Sequence, residues 1–231
     1  QAREFGEAVF AGGLAMFYFA AFAAHVIPAM QVIPDAQIGL GLLVQYLAVG
    51  MIVGVACWRD RPTVSTMSIA LGMVSCFFAL HRGWMELSLG AALGLLLVAA
   101  ALRAAKGWVW PVVAGYVGAQ LCYVGTVFVA MGYKLEYFFS VGILHLAGAR
   151  MNPALEMWPG FTLIFPTAYF LLLLGADTWA QMRGRAGEAA LRTGAALVAA
   201  VLYGLGAWWG GAVMGNSWAS YNLLAAAAVC L

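Results

Sequence analysis

The side chains of this sequence best suited to chemistry are its three histidines, His25, His81 and His145. Imidazole titrates near neutral pH and is a common ligand of Zn and Cu. No two of the histidines have the short spacing of a metal motif such as HxxxH, so a shared site requires the fold to bring them together. Three interpretations stay open: separate interfacial histidines, a proton-handling cluster, or a Zn or Cu site.

Charged residues accompany these histidines along the chain. The run 81–86, HRGWME, predicts a tight turn between two helices, in which Arg82 and Glu86 are four residues apart and can pair. This turn is interpreted either as a stabilised connection or as a mouth that binds a polar or anionic group. Further carboxylates on the same predicted face are Asp35, Glu136 and Glu156.

The segment 148–155 carries a second group of candidates. Asn152 followed by Pro153 is a good helix start, because Asn caps free N–H groups and Pro is tolerated at the first helical position. A helix N-terminus that faces a cavity attracts anions and polar oxygens. Arg150 lies just before this start and Glu156 just after it, and both are candidates for a site on the outer face.

Two glutamines, Gln45 and Gln120, lie near the middle of apolar stretches. A polar side chain at that depth usually faces the interior of a helix bundle. Hydrogen bonding between helices is one interpretation, and lining the path of a solute is the other. Asp177 carries less weight, because it lies near the end of its stretch, where water can reach it.

The elements that must position these residues are predicted to be membrane helices. Of the residues, 65% are hydrophobic and 9% charged, against about 25% charged in a soluble domain. So few charges cannot cover a soluble surface, and crossing a bilayer core takes about 20 apolar residues per helix. We therefore predict an all-α, polytopic bundle over residues 1–231, a single transmembrane domain. Its seven expected helices are 8–26, 38–58, 64–80, 85–102, 109–131, 161–179 and 191–212.

Residues 132–160 differ from the predicted helices. Their apolar run, 138–147, is too short to cross a bilayer, and charged residues interrupt the segment on both sides of it. We expect an irregular or re-entrant piece on the outer face, buried in protein or lining a watery cavity. Residues 217–231 are apolar but short, and whether they begin an eighth helix stays open.

The distribution of lysine and arginine predicts the orientation, because cytoplasmic loops are enriched in both. A cytoplasmic N-terminus places eight of the eleven basic residues inside and leaves Arg82, Lys134 and Arg150 outside. In that orientation the three histidines and the carboxylates named with them share the outer face.

Several function classes are excluded. No lysine lies in a late helix, which excludes a retinal Schiff base, and GxSxG, HExxH and Walker motifs are missing. The chain is too short to add a soluble catalytic domain, and it has no basic run for nucleic acid. The four cysteines are scattered singly, without CxxC, and are interpreted as small buried hydrophobic residues.

The sequence therefore predicts a multi-pass integral membrane channel or transporter for a small solute, in a lipid bilayer and oligomeric. The basis is the polar residues at mid-span, the irregular segment, and abundant small residues for helix packing. The alternative is a membrane-embedded, metal-dependent enzyme or oxidoreductase-complex subunit. Its site would lie at the outer face and use His25, His81 and His145 with a carboxylate. A third possibility is an accessory subunit that only packs against larger partners.

Overall fold

The structure is a computed structural model that describes residues 2–27, 30–34, 37–81, 84–130, 161–185 and 189–214. Seven α-helices lie in these ranges, which confirms the all-α prediction. Several extend past the predicted spans, because a helix can continue beyond its apolar part. The helices are α1 Ala2–Val26, α2 Ile38–Trp58, α3 Pro62–His81, α4 Met85–Lys106, α5 Val109–Ala130, α6 Phe161–Met182 and α7 Ala189–Met214.

The core lies where α3, α4 and α5 meet, with α2 against α3, α1 against α2, and α6 and α7 packed on the other side. Glycines bring the three central helices close together. A Cβ at Gly118 would overlap the side chain of Met73, and one at Gly72 would lie 2.9 Å from Cδ1 of Leu95. Small residues at helix contacts are typical of packing inside a membrane, where close backbone approach replaces the hydrophobic effect.

Many large apolar side chains of the described helices are exposed. On α2, Leu43, Leu47 and Met51 form a stripe whose side chains are 54–59% exposed, and α7 carries a comparable stripe that includes Leu197 and Leu205. Monomeric soluble proteins rarely leave such continuous apolar surface in water, whereas lipid tails cover it without cost. These exposed stripes agree with lipid as the solvent of the bundle.

Four helices are long and apolar enough to cross a membrane: Gly39–Trp58, Pro62–Leu80, Met85–Lys106 and Val109–Val129. Shorter apolar helical stretches lie within α1 and α7, at Gly12–Ala24 and Thr193–Trp208. Together with the apolar surface, the four long helices indicate a membrane protein.

One end of the bundle, named here the basic end, holds the α2–α3 turn, the α4–α5 turn and the end of α6. Every basic residue whose side chain is described lies there: Arg59, Arg61, Arg103, Lys106, Arg183 and Arg185. Gly107 caps the C-terminal end of α4, and its φ of 78° is left-handed and favours glycine. A side chain at this position would also press on Arg185, whose Cβ and carbonyl oxygen lie 3.2 Å from the place of a Cβ.

Candidate functional site

The described side chains include only part of the predicted site. Gln45, Glu86 and Gln120 are described in full. His25 and His81 belong to α1 and α3, but their side chains lie outside the described set, as do residues 82, 145, 150, 152 and 156 altogether. A common neighbourhood of the three histidines therefore stays a prediction, together with the roles of Arg82, His145, Arg150, Asn152 and Glu156. The segments 132–160 and 217–231 also fall outside the described residues.

Glu86 is exposed and lies in the first turn of α4. A carboxylate there is favourable for the helix, because the free N–H groups of the first turn carry partial positive charge. Within the described residues, no group of three or more His, Cys, Asp or Glu side chains could hold a metal ion. A Zn or Cu site at the histidines is thus still only an expectation from the sequence.

Gln45 is the most unusual polar residue of the described core. It is 0% exposed in α2, and neither its Oε1 nor its Nε2 has a hydrogen-bond partner among the described residues. A buried polar group without a partner costs about 1–3 kcal/mol. No hydrogen bond within the described residues offsets this cost. A polar molecule at Gln45 would find both a donor and an acceptor there.

Hydroxyl groups of α1 and α2 also meet side chains and carbonyls of α3 in the described core. The hydroxyl of Tyr46, the next residue, lies 3.1 Å from Sγ of Cys76 on α3. The hydroxyl of Tyr18 on α1 donates to the carbonyl of Leu71 at 2.6 Å and lies 2.6 Å from Oγ of Ser75. Polar groups from α1, α2 and α3 therefore meet inside an otherwise apolar region.

The same group of contacts continues into α4 and α5. Oγ of Ser88 donates to the carbonyl of Cys76 at 2.8 Å. The sulfur of Cys122 on α5 lies 3.8 Å from the carbonyl oxygen of Met73 on α3. These uncharged polar side chains from five helices are together the polar layer: Tyr18, Gln45, Tyr46, Ser75, Cys76, Ser88 and Cys122.

Gln120, 3% exposed on α5, is only half satisfied. Its Nε2 donates to the hydroxyl of Tyr116 at 2.9 Å, and that hydroxyl donates to the carbonyl of Ala199 on α7 at 2.8 Å. Its Oε1 has no partner among the described residues, and a Cβ at Gly206 of α7 would lie 3.4 Å from it. Gln120 itself therefore bonds within α5 and reaches α7 only through Tyr116, and both of its sequence interpretations stay predictions.

The best-satisfied charge of the described bundle was missed by sequence analysis. Arg103 is 0% exposed, and its Nε and Nη2 donate to Oδ1 of Asp177 at 3.1 and 2.5 Å. Its Nη1 donates to the carbonyls of Gly107 and Arg185 at 2.6 and 3.2 Å. The available signal was two opposite charges near the ends of α4 and α6 on the same predicted face.

No protein-family model matches the chain, and no curated protein or solved structure shows significant similarity to it. The candidate function therefore depends on the chemistry of the polar layer.

Proposed function

We propose that this protein carries a small, uncharged polar solute across the membrane. The observation that supports the proposal is Gln45, a fully buried amide whose donor and acceptor both lack a partner among the described residues. A solute with a hydroxyl or amide group would satisfy both atoms as it passes. The hydroxyls of Tyr18 and Tyr46, which meet α3, are further polar groups of the same bundle.

The uncharged nature of the polar layer supports a neutral solute. Its groups are amides, hydroxyls and thiols, and none of them carries a formal charge. An ion taken from water into such a region would lose its hydration without meeting a counter-charge, and that costs far more than moving a neutral molecule. The proposed solutes are therefore of the size and polarity of water, glycerol or urea.

In this proposal all seven helices cross the bilayer, the N-terminus is cytoplasmic, and residues 132–160 remain on the outer face. The described basic residues support this orientation because they share one end of the bundle. α1 begins at that same end, since the guanidinium of Arg59 lies 4.9 Å from the ring centroid of Phe10. The basic end is then the cytoplasmic end.

The test is solute flux into liposomes that contain the purified protein, followed by light scattering after an osmotic step with glycerol or urea. Gln45→Leu introduces an apolar side chain of similar volume and removes both polar amide atoms. We expect flux of the preferred solute to fall at least tenfold, while the variant remains folded. The matched control is Leu43→Ala, because Leu43 lies two residues away on α2 with its side chain 54% exposed.

Two results would contradict the proposal. One is flux through the unmodified protein no faster than through protein-free liposomes for water, glycerol and urea. The other is unchanged flux through folded Gln45→Leu. The metal-dependent alternative at His25, His81 and His145 predicts instead that the purified protein contains stoichiometric Zn or Cu, which elemental analysis measures.

A further inference from the structure

A groove lies between α5 and α7, with Leu173 of α6 on its wall, and its volume is about 270 Å³. Tyr116 brings a hydroxyl to the lining, but this hydroxyl already donates to the carbonyl of Ala199 at 2.8 Å. The other lining side chains are hydrocarbon or indole, so the groove suits an apolar ligand. They include Trp110, Val113, Val117, Leu173, Ala195 and Val198.

The groove begins at the depth where the membrane interface is expected. Trp110, 58% exposed, lies in the first turn of α5, and the exposed Trp58 and Trp179 lie near the same end of the bundle. Tryptophan is enriched at the level of the lipid headgroups. Val117 lies about 10 Å further along α5, so the groove leads from headgroup level into the hydrocarbon region.

Two arginines lie at the end of the bundle where the groove begins. Arg183 and Arg185 follow the last turn of α6, and both side chains are exposed. The Cβ of Arg185 lies 3.2 Å from the place of a Cβ at Gly107, which is three residues before Trp110. Among the described residues, neither guanidinium pairs with a carboxylate. Guanidinium groups bind phosphate well, because two parallel N–H donors match two of its oxygens.

We propose that this groove binds one anionic phospholipid, with an acyl chain between α5 and α7 and its phosphate at Arg183 and Arg185. The groove accounts for the chain, and the two arginines account for the negative headgroup. A helix of a second copy would need more room, because a 10 Å length of helix with its side chains occupies roughly 800 Å³. An acyl chain is much thinner than a helix. The proposal does not rest on the proposed solute flux.

The first experiment measures which lipid stays bound. Purified full-length protein is placed in nanodiscs of equal parts phosphatidylcholine and phosphatidylglycerol with identical acyl chains, released into mild detergent and weighed by native mass spectrometry. We expect one phosphatidylglycerol per chain, preferred over phosphatidylcholine by about fivefold for each of the two arginines. Arg183→Gln combined with Arg185→Gln should remove this preference. Arg59→Gln is the matched control, because Arg59 is an exposed arginine of the basic end that lies on the α2–α3 turn.

Three results of this experiment would overturn the proposal. They are equal retention of the two lipids by the unmodified protein, retention of neither lipid, and a protein dimer in place of a lipid-bound chain. The third result would assign the groove to a second copy.

Gly194→Phe tests the place of the acyl chain. Gly194 lines the groove, and nothing lies within 4 Å of a Cβ at this position. The phenyl ring can therefore enter the groove, and lipid retention should fall at least fivefold while helical content by circular dichroism is unchanged. Gly204→Phe is the matched control, because Gly204 has the same free space on α7 but does not line the groove. Unchanged retention in folded Gly194→Phe would overturn the site.

The fluorescence of Trp110 gives a second measurement that leaves the groove of the unmodified protein intact. In phosphatidylcholine vesicles that contain phosphatidylglycerol with brominated acyl chains, bromine next to Trp110 should quench its emission. Quenching should be weaker in Trp110→Phe, and weaker when the same fraction of brominated lipid is phosphatidylcholine. Equal quenching by the two brominated lipids would contradict the proposal even if Gly194→Phe failed to fold.

Discussion

The basic end and the polar layer differ in how far their buried polar side chains are hydrogen-bonded. At the basic end, the buried guanidinium of Arg103 donates four hydrogen bonds, to one carboxylate and two carbonyls. In the polar layer, the equally buried amide of Gln45 makes none with the described residues. The contrast separates a polar group that the fold satisfies from one that the fold leaves open, and the proposed solute would bind the second.

The largest expected effect tests the structural role of the basic end. Asp177→Leu leaves the guanidinium of Arg103 buried without its counter-charge, and removing one partner of a buried pair costs about 3–5 kcal/mol. Because Asp177 is 29% exposed, water can replace part of the carboxylate, so we expect the lower end of that range. Chemical denaturation in detergent, followed by circular dichroism, measures the change.

The matched control for Asp177→Leu is Asp60→Asn. Asp60 pairs with Lys106 at 3.4 Å, but both side chains are largely in water, at 73% and 40% exposure. Exposed ion pairs contribute about 0–1 kcal/mol. Equal losses of stability in the two variants would remove the distinction between a buried clamp and a surface pair.

A smaller effect is expected where the helices that carry the polar layer touch. Gly118→Ala places a methyl group against the side chain of Met73, and overpacking of this kind costs about 1–3 kcal/mol. Gly90→Ala is the control, because nothing lies within 4 Å of a Cβ at that position. We expect the control to be neutral or stabilising by less than about 1 kcal/mol, since alanine favours a helix over glycine. A stability of Gly118→Ala equal to that of Gly90→Ala would show that α3 and α5 do not need their close approach.

The smallest expected changes in stability come from two substitutions within the polar layer, one of a hydrogen-bonded residue and one of a residue without partners. Tyr18→Phe removes hydrogen bonds to Leu71 and Ser75 and should destabilise by about 1 kcal/mol. Gln45→Leu removes only unpartnered atoms and should be neutral or stabilising by about 1–2 kcal/mol. Denaturation in the same detergent measures the unfolding free energy of both variants, and the two changes should differ in sign. A clear loss of stability in Gln45→Leu would give Gln45 a structural role.

The sequence predicted best what depends on local properties. α2 lies at the predicted residues, because charged and turn-forming residues mark both its ends. The burial of Gln45 and Gln120 follows from the same logic, since a polar side chain within an apolar run is most stable inside the bundle.

The sequence failed where function depends on which helices are neighbours. The pair Arg103–Asp177 joins α4 to α6, and no spacing rule along the chain encodes which helices are neighbours. The unsatisfied state of Gln45 was equally hidden, because polarity is visible in a sequence while the lack of a partner is a property of the surroundings. The outer-face histidine site, built on His25, His81 and His145, stays a prediction.

The guanidinium of Arg103 has a mechanical consequence for the bundle. It holds the end of α4, the turn into α5 and the end of α6 at one point, because it binds Gly107, Asp177 and Arg185 together. A rigid helix that is held at one end can move only by tilting about that end, so its displacement is smallest there and largest at the opposite end. Ser88, the α4 member of the polar layer, lies about four helical turns from Arg103, so a tilt of α4 about this point would displace Ser88 more than the fastened end.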